Sequence, residues 1–175
     1  MPACLRYLLD EKDRIVSVGG DWDEFACANG GEHLSGQALL GSSFWDHVSG
    51  ESLSQLLELI FRRVRERGEP ITVPSRCDSP QVVRHLEIRV EPRPDRQLEI
   101  QSRISSETPR AQWRGAIRAR MLLQMCSWCN RFHVEGHWLE MEEAFRRLKL
   151  GDAEFVPRSS HGICPDCADL LKRSA

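Results

Sequence analysis

The chain has 175 residues, a formal net charge of −2, and is 41% hydrophobic and 29% charged. That is the balance of an ordinary soluble globular protein, with room for one medium domain and a small accessory unit. It excludes a low-complexity chain, a protein built on the roughly 18-residue apolar runs of membrane spans, and one whose overall charge demands a polyanion. The charge is unevenly spread: residues 1–60 carry ten acids and three bases, residues 61–131 fifteen arginines and eight acids. The N-terminus turns acidic by Asp10 without a basic stretch or a long apolar run, so no signal peptide is expected and the protein is expected in the cytoplasm.

In chain order, Leu5–Leu9 and Ile15–Val18 flank the polar turn Asp10–Asp13 and predict a hairpin. The Gly-rich stretch DWDEFACANGGEHLSG predicts short helical turns. A long helix follows, because Leu53, Leu56, Leu57, Ile60, Phe61 and Val64 recur at the spacing of one buried stripe. Ser52 and Gln55 form a capping-box pattern at its start, and Gly68 ends it. Three strands come next. ITVPSRC carries Pro74, which confines it to a sheet edge or an interruption. VVRHLEIRVEP places Val82, Leu86, Ile88 and Val90 on one face and His85, Glu87, Arg89 and Glu91 on the other; RQLEIQSRIS turns Leu98, Ile100 and Ile104 inward. Residues 107–112 read as a boundary. WRGAIRARMLLQM then reads as an amphipathic helix, with Trp113, Ile117, Met121 and Gln124 or Met125 on one face, suited to docking on a sheet or pairing with its copy. The fold class is therefore α+β, in three parts: 1–106, a linker helix over 107–125, and a unit over 126–175.

The order of two strands, small helices, a long helix and a three-stranded meander resembles the PAS family of sensory domains. LLGSSFWDHV and SRCDSPQVVRHLEIRVEP resemble the middle of that family, and the likeness covers roughly residues 4–106. It implies a five-stranded antiparallel sheet cupping a small pocket, used for sensing an unidentified small ligand or for protein contacts. The tail CSWCNRF…GHWLEMEEAF…SHGICPDCADLL is similar to a Cys-rich tail of bacterial sensor and response-regulator proteins.

Seven cysteines are present, three scattered (Cys4, Cys27, Cys77) and four in two Cys-x-x-Cys pairs: Cys126 with Cys129, and Cys164 with Cys167. An odd count in a reducing compartment argues against a disulfide framework. Two such pairs can each turn both sulfurs onto one ion and together complete a tetrahedral shell, which predicts a structural zinc site. The segment between the pairs should hold a helix with Trp138, Met141, Phe145 and Leu148 on one face. Alternatives are an iron–sulfur cluster, a redox switch that ejects zinc on oxidation, and a deaminase-like site of His133, Cys164 and Cys167 with Glu135 as proton shuttle. The last lacks a Pro before Cys164, where Ile163 stands, and leaves Cys126 and Cys129 unused. Asn130 after the second Cys excludes covalent c-type haem. His161 could serve the metal or simply cap the turn. His47 beside Trp45 could face a haem, but the long helix contains no His. Trp22, Phe25, Phe44 and Trp45 either line a cleft or form core. No G-x-S-x-G, phosphate-binding or dinucleotide-binding loop occurs. The expectation is a non-catalytic module acting by contact with a signalling partner or in a homodimer, with no nucleic-acid ligand expected.

Overall fold

The computed structural model describes residues 4–78, 82–109, 118–148 and 156–175. β1 (Cys4–Leu9) and β2 (Ile15–Gly20) form the expected hairpin, closed at the Asp10–Asp13 turn with Asp13 left-handed. Two short helices follow, α1 (Trp22–Ala28) and α2 (Gly36–Leu39), and then the long helix α3 (Glu51–Arg67). The meander is β3 (Ile71–Arg76), β4 (Val82–Pro92) and β5 (Leu98–Pro109). Together these strands make one five-stranded antiparallel sheet in the order β2-β1-β5-β4-β3. Pro74 lies in the edge strand β3, where its missing N–H breaks no central ladder.

The predicted stripe of α3 is the stripe that is buried. Leu53, Leu56, Leu57, Ile60, Phe61 and Val64 pack with Leu9, Val73, Val90, Leu98 and Ile100 of the sheet. Each large side chain fully removed from water contributes roughly 1.5–3 kcal/mol. Gly68 caps the helix in the left-handed conformation, its N–H donating to the Val64 carbonyl. The helix starts differently: Gly50, not Ser52, is the N-cap, and no side chain caps it. The aromatic residues fill space by touching one another. Phe44 stacks with Tyr7 at 5.9 Å and meets Trp45 and Phe61 at 5.0 and 5.2 Å, and Trp22 packs edge-on to Tyr7. Trp22, Phe44 and Trp45 are therefore core or core-flanking.

The second half departs from the sequence expectation. Residues 118–125, expected as the end of a helix, lie in strand β6 (Arg118–Cys126); residues 113–117 of that expected helix lie outside the described residues. β5 runs on to Pro109, into the expected boundary. A hairpin of β7 (Phe132–Val134) and β8 (His137–Leu139) precedes α4 (Met141–Arg147), so Trp138 belongs to a strand rather than to that helix. β9 (Val156–Gly162) pairs parallel to β6, and α5 (Pro165–Ser174) ends the chain. The second sheet has the order β8-β7-β6-β9. It keeps a small core of Leu123, Phe132, Val134, Ala144 and Phe145. Yet Cys126, Trp128, Cys164, Cys167 and Leu171 belong to the main core with α3. No helix among the described residues is long and apolar enough to cross a membrane.

Candidate metal centre

The parallel pairing of β6 with β9 brings the two cysteine pairs together. Cys126 is opposite Gly162, so the chain leaves both strands at the same end and each turns at once into a Cys-x-x-Cys. In the first turn the Asn130 N–H donates to the Cys126 carbonyl at 2.9 Å and the Cys126 N–H to the Arg131 carbonyl at 2.8 Å. Asn130 takes the left-handed conformation, which Asn tolerates better than most residues. In the second turn Cys164 is the N-cap of α5, Pro165 occupies the first helical turn, and the Cys167 N–H donates to Cys164 Sγ at 3.4 Å. A helix N-terminus and its free amides favour negative charge on those sulfurs.

The four Sγ atoms of Cys126, Cys129, Cys164 and Cys167 all lie within 4.8 Å of one another, and all four cysteines are free. Cys129 and Cys164 Sγ are 3.8 Å apart. That is far from the ~2.05 Å of a disulfide, and it matches the edge of about 3.8 Å that four bonds of ~2.3 Å around a tetrahedral ion require. Cys126, Cys164 and Cys167 are buried and Cys129 is partly exposed. The four cysteines can therefore hold a metal ion.

Electrostatics favour a cation there. The Cys126 thiol is pulled far below its ordinary range, chiefly because Cys129 and Cys167 donate to it. Cys167 is pushed far up, chiefly because its own proton is given to Cys126, and burial pushes Cys164 up. Crowded thiols thus resist becoming four thiolates by themselves, and a bound cation would remove that resistance.

Arg131 supplies further positive charge. Its Nε donates to Cys129 Sγ at 3.2 Å, and one terminal nitrogen reaches Cys164 Sγ at 3.4 Å and Asp166 at 2.8 Å. One guanidinium so braces both cysteine turns, and its proton is held more firmly than usual, chiefly by the bond to Cys129. Nothing in the sequence separates Arg131 from its neighbours except its place two residues past Cys129. Trp128 likewise carries no distinguishing signal in the sequence. Its indole N–H donates to the Pro74 carbonyl at 2.7 Å, and its own carbonyl accepts from the Arg76 N–H at 3.0 Å and Ser75 Oγ at 3.2 Å. The first cysteine turn is thereby bolted to the edge strand β3. Ser127 ties the same turn to the segment just before α3, its hydroxyl donating to the Ser49 carbonyl at 3.3 Å.

The group of converging ligand atoms contains no histidine. His161 is exposed on β9, paired with Met125. His133 lies on β7 with its ring against Trp138, and Glu135 forms the left-handed turn to β8. The deaminase-like set of His133, Cys164 and Cys167 is not brought together, because Cys126 and Cys129 complete the cluster instead. His47 Nε2 is engaged at 2.8 Å with Ser42 Oγ.

No protein-family model matches the chain, and no curated protein matches it. Among solved structures, a domain of an HTR-like protein from Haloarcula marismortui ATCC 43049 is similar at 19% identity and a TM-score of 0.43, over 59% of this chain and 98% of that one. A likeness that loose carries no argument about function.

Proposed function

We propose that the chain is a PAS-like module of bacterial signalling in which a structural zinc ion, held by Cys126, Cys129, Cys164 and Cys167, locks the C-terminal unit onto the sheet domain, and that it acts in the cytoplasm by protein–protein contact. The convergence of the four sulfurs carries this reading. The antiparallel five-stranded sheet and its element order agree with what the PAS resemblance implies. Zinc suits an all-thiolate tetrahedral shell, and a closed shell of four sulfurs leaves no open position for a reacting water, which favours a structural over a catalytic role. The zinc supplies fixed geometry; Arg131 and the N-terminus of α5 offset the negative charge of the thiolates. Elemental analysis and a visible spectrum of the full chain, purified without chelator or metal resin, test the reading. One zinc per chain and a colourless solution are expected; a brown, iron-containing sample would overturn zinc in favour of an iron–sulfur cluster.

A second reading, thiol redox sensing, is favoured by the partial exposure of Cys129 and its 3.8 Å approach to Cys164. Hydroperoxide treatment followed by disulfide mapping would separate it from a purely structural site. A homodimer of the chain would not pair through a helix over residues 118–125, because Arg118–Cys126 is a strand.

A further inference from the structure

One surface concavity gathers unmatched positive charge. A groove of about 300 Å3 between α3 and α5 is lined by Leu59, Arg62, Arg63, Glu66, Arg67, Lys172 and Ala175. Four cationic side chains face one acidic side chain, and of the four only Arg63 is bonded among the described residues, to Ala175. Several arginines elsewhere are matched: Arg84 with Glu107, Arg89 with Glu91, Arg93 with Glu99, Arg147 with Glu143. Among the described residues Arg62, Arg67 and Lys172 have no such match. Leu59, 36% exposed, adds an apolar spot to the same groove. Like charges crowded on a concave, partly apolar wall repel one another and concentrate a positive field at its mouth.

We infer that this groove is a docking site for an acidic segment of a protein partner, and that the metal clamp builds it. Carboxylates would match Arg62, Arg67 and Lys172, and one apolar side chain would cover Leu59. The groove exists only while α5 lies along α3. Arg63 on α3 donates to the Ala175 carbonyl beyond the last turn of α5, and Leu171 is fully buried in the core that α3 shares. α5 has ten residues, fewer than the roughly 12–15 that a helix needs to persist alone in water. Its other end is fixed by Cys164 and Cys167. Loss of metal therefore frees α5, removes Lys172 from the groove and disperses the field. This second part rests on the proposed clamp.

The experiment measures fluorescence anisotropy of a labelled peptide of Asp and Glu with one central Leu against the full chain, with metal content determined on every sample. The variant Arg62→Glu/Arg67→Glu alters two exposed helix positions outside the core, and Arg6→Glu/Arg103→Glu makes the same charge change at exposed positions of strands β1 and β5, outside the groove lining. Circular dichroism confirms that both fold. The expected result is binding weakened on the order of tenfold by the groove variant and less than about twofold by the control, with a similar loss on chelation. Equal weakening by both variants, no weakening by either, or tighter binding to anionic vesicles or to a DNA oligonucleotide than to the peptide overturns the docking site. A metal-loaded protein whose peptide affinity survives chelation overturns the coupling while leaving the clamp standing. A chain that carries no metal overturns the clamp and the coupling, while groove-specific binding would still uphold the site.

Discussion

Arg131 touches two sulfurs on different turns and an acid on α5. Replacing it with Gln removes the charge and the fork together, and the expected outcome is metal affinity lower by about 10–100-fold in a chelator competition. Arg131→Lys should fall between, since a point charge cannot bond both sulfurs at once. A second residue offers its own reporter. Tyr7 is the sole tyrosine, and although part of its side chain is accessible, its phenol sits between Trp22 and Phe44 and burial pushes its ionisation well above the ordinary value of 10.0. Above that value the unfolded chain loses the proton and the folded chain keeps it, so stability falls as pH rises. Alkaline titration should show phenolate absorbance appearing only together with loss of the fold. At this scale the cysteines were legible, because two-residue spacing has a chemical meaning. Arg131 was not, because fifteen arginines crowd residues 61–131 and only geometry picks out one.

Among the elements, α3 was legible and β6 was not, for one physical reason each. The stripe of α3 is buried along its whole length, so burial and periodicity agree. RARMLLQMC contains no β-branched residue and is rich in good helix formers. Its strand conformation is imposed from outside, by β7 on one side and β9 on the other. An N-cap at Gly50, two residues earlier than Ser52, reflects the same limit, since caps depend on local geometry that side-chain type only suggests. The docking of these elements can be measured. Trp128→Phe keeps the ring but loses the bond to the Pro74 carbonyl, and should cost about 1 kcal/mol in denaturant unfolding. Leu171→Ala opens a cavity beneath α5 and should cost about 2–5 kcal/mol.

Over the whole molecule, one apolar core runs from the five-stranded sheet through α3 to the cysteine turns. Two units that share a core should melt as one. Chelation, which releases α5 from that core, is therefore expected to lower the one remaining thermal transition of the full chain, and calorimetry with and without chelator decides. Acid should mimic chelation. Metal binding requires Cys164 and Cys167 to give up protons that the metal-free fold retains, so affinity falls as pH falls, with metal release followed by a chromophoric indicator.

The side-by-side course of β6 and β9 also has a consequence in time. Parallel neighbours cannot be joined by a tight turn, and here a hairpin and α4 intervene, with Cys129 and Cys164 35 positions apart. Such a pairing is entropically slow to find, because the chain must close a long loop before any contact rewards it. An ion that catches both cysteine turns early closes that loop in advance and leaves only the register to be found. A chain refolding with metal already present should reach its native state faster than one supplied with metal afterwards, so the clamp governs how quickly the structure arrives as well as how long it lasts.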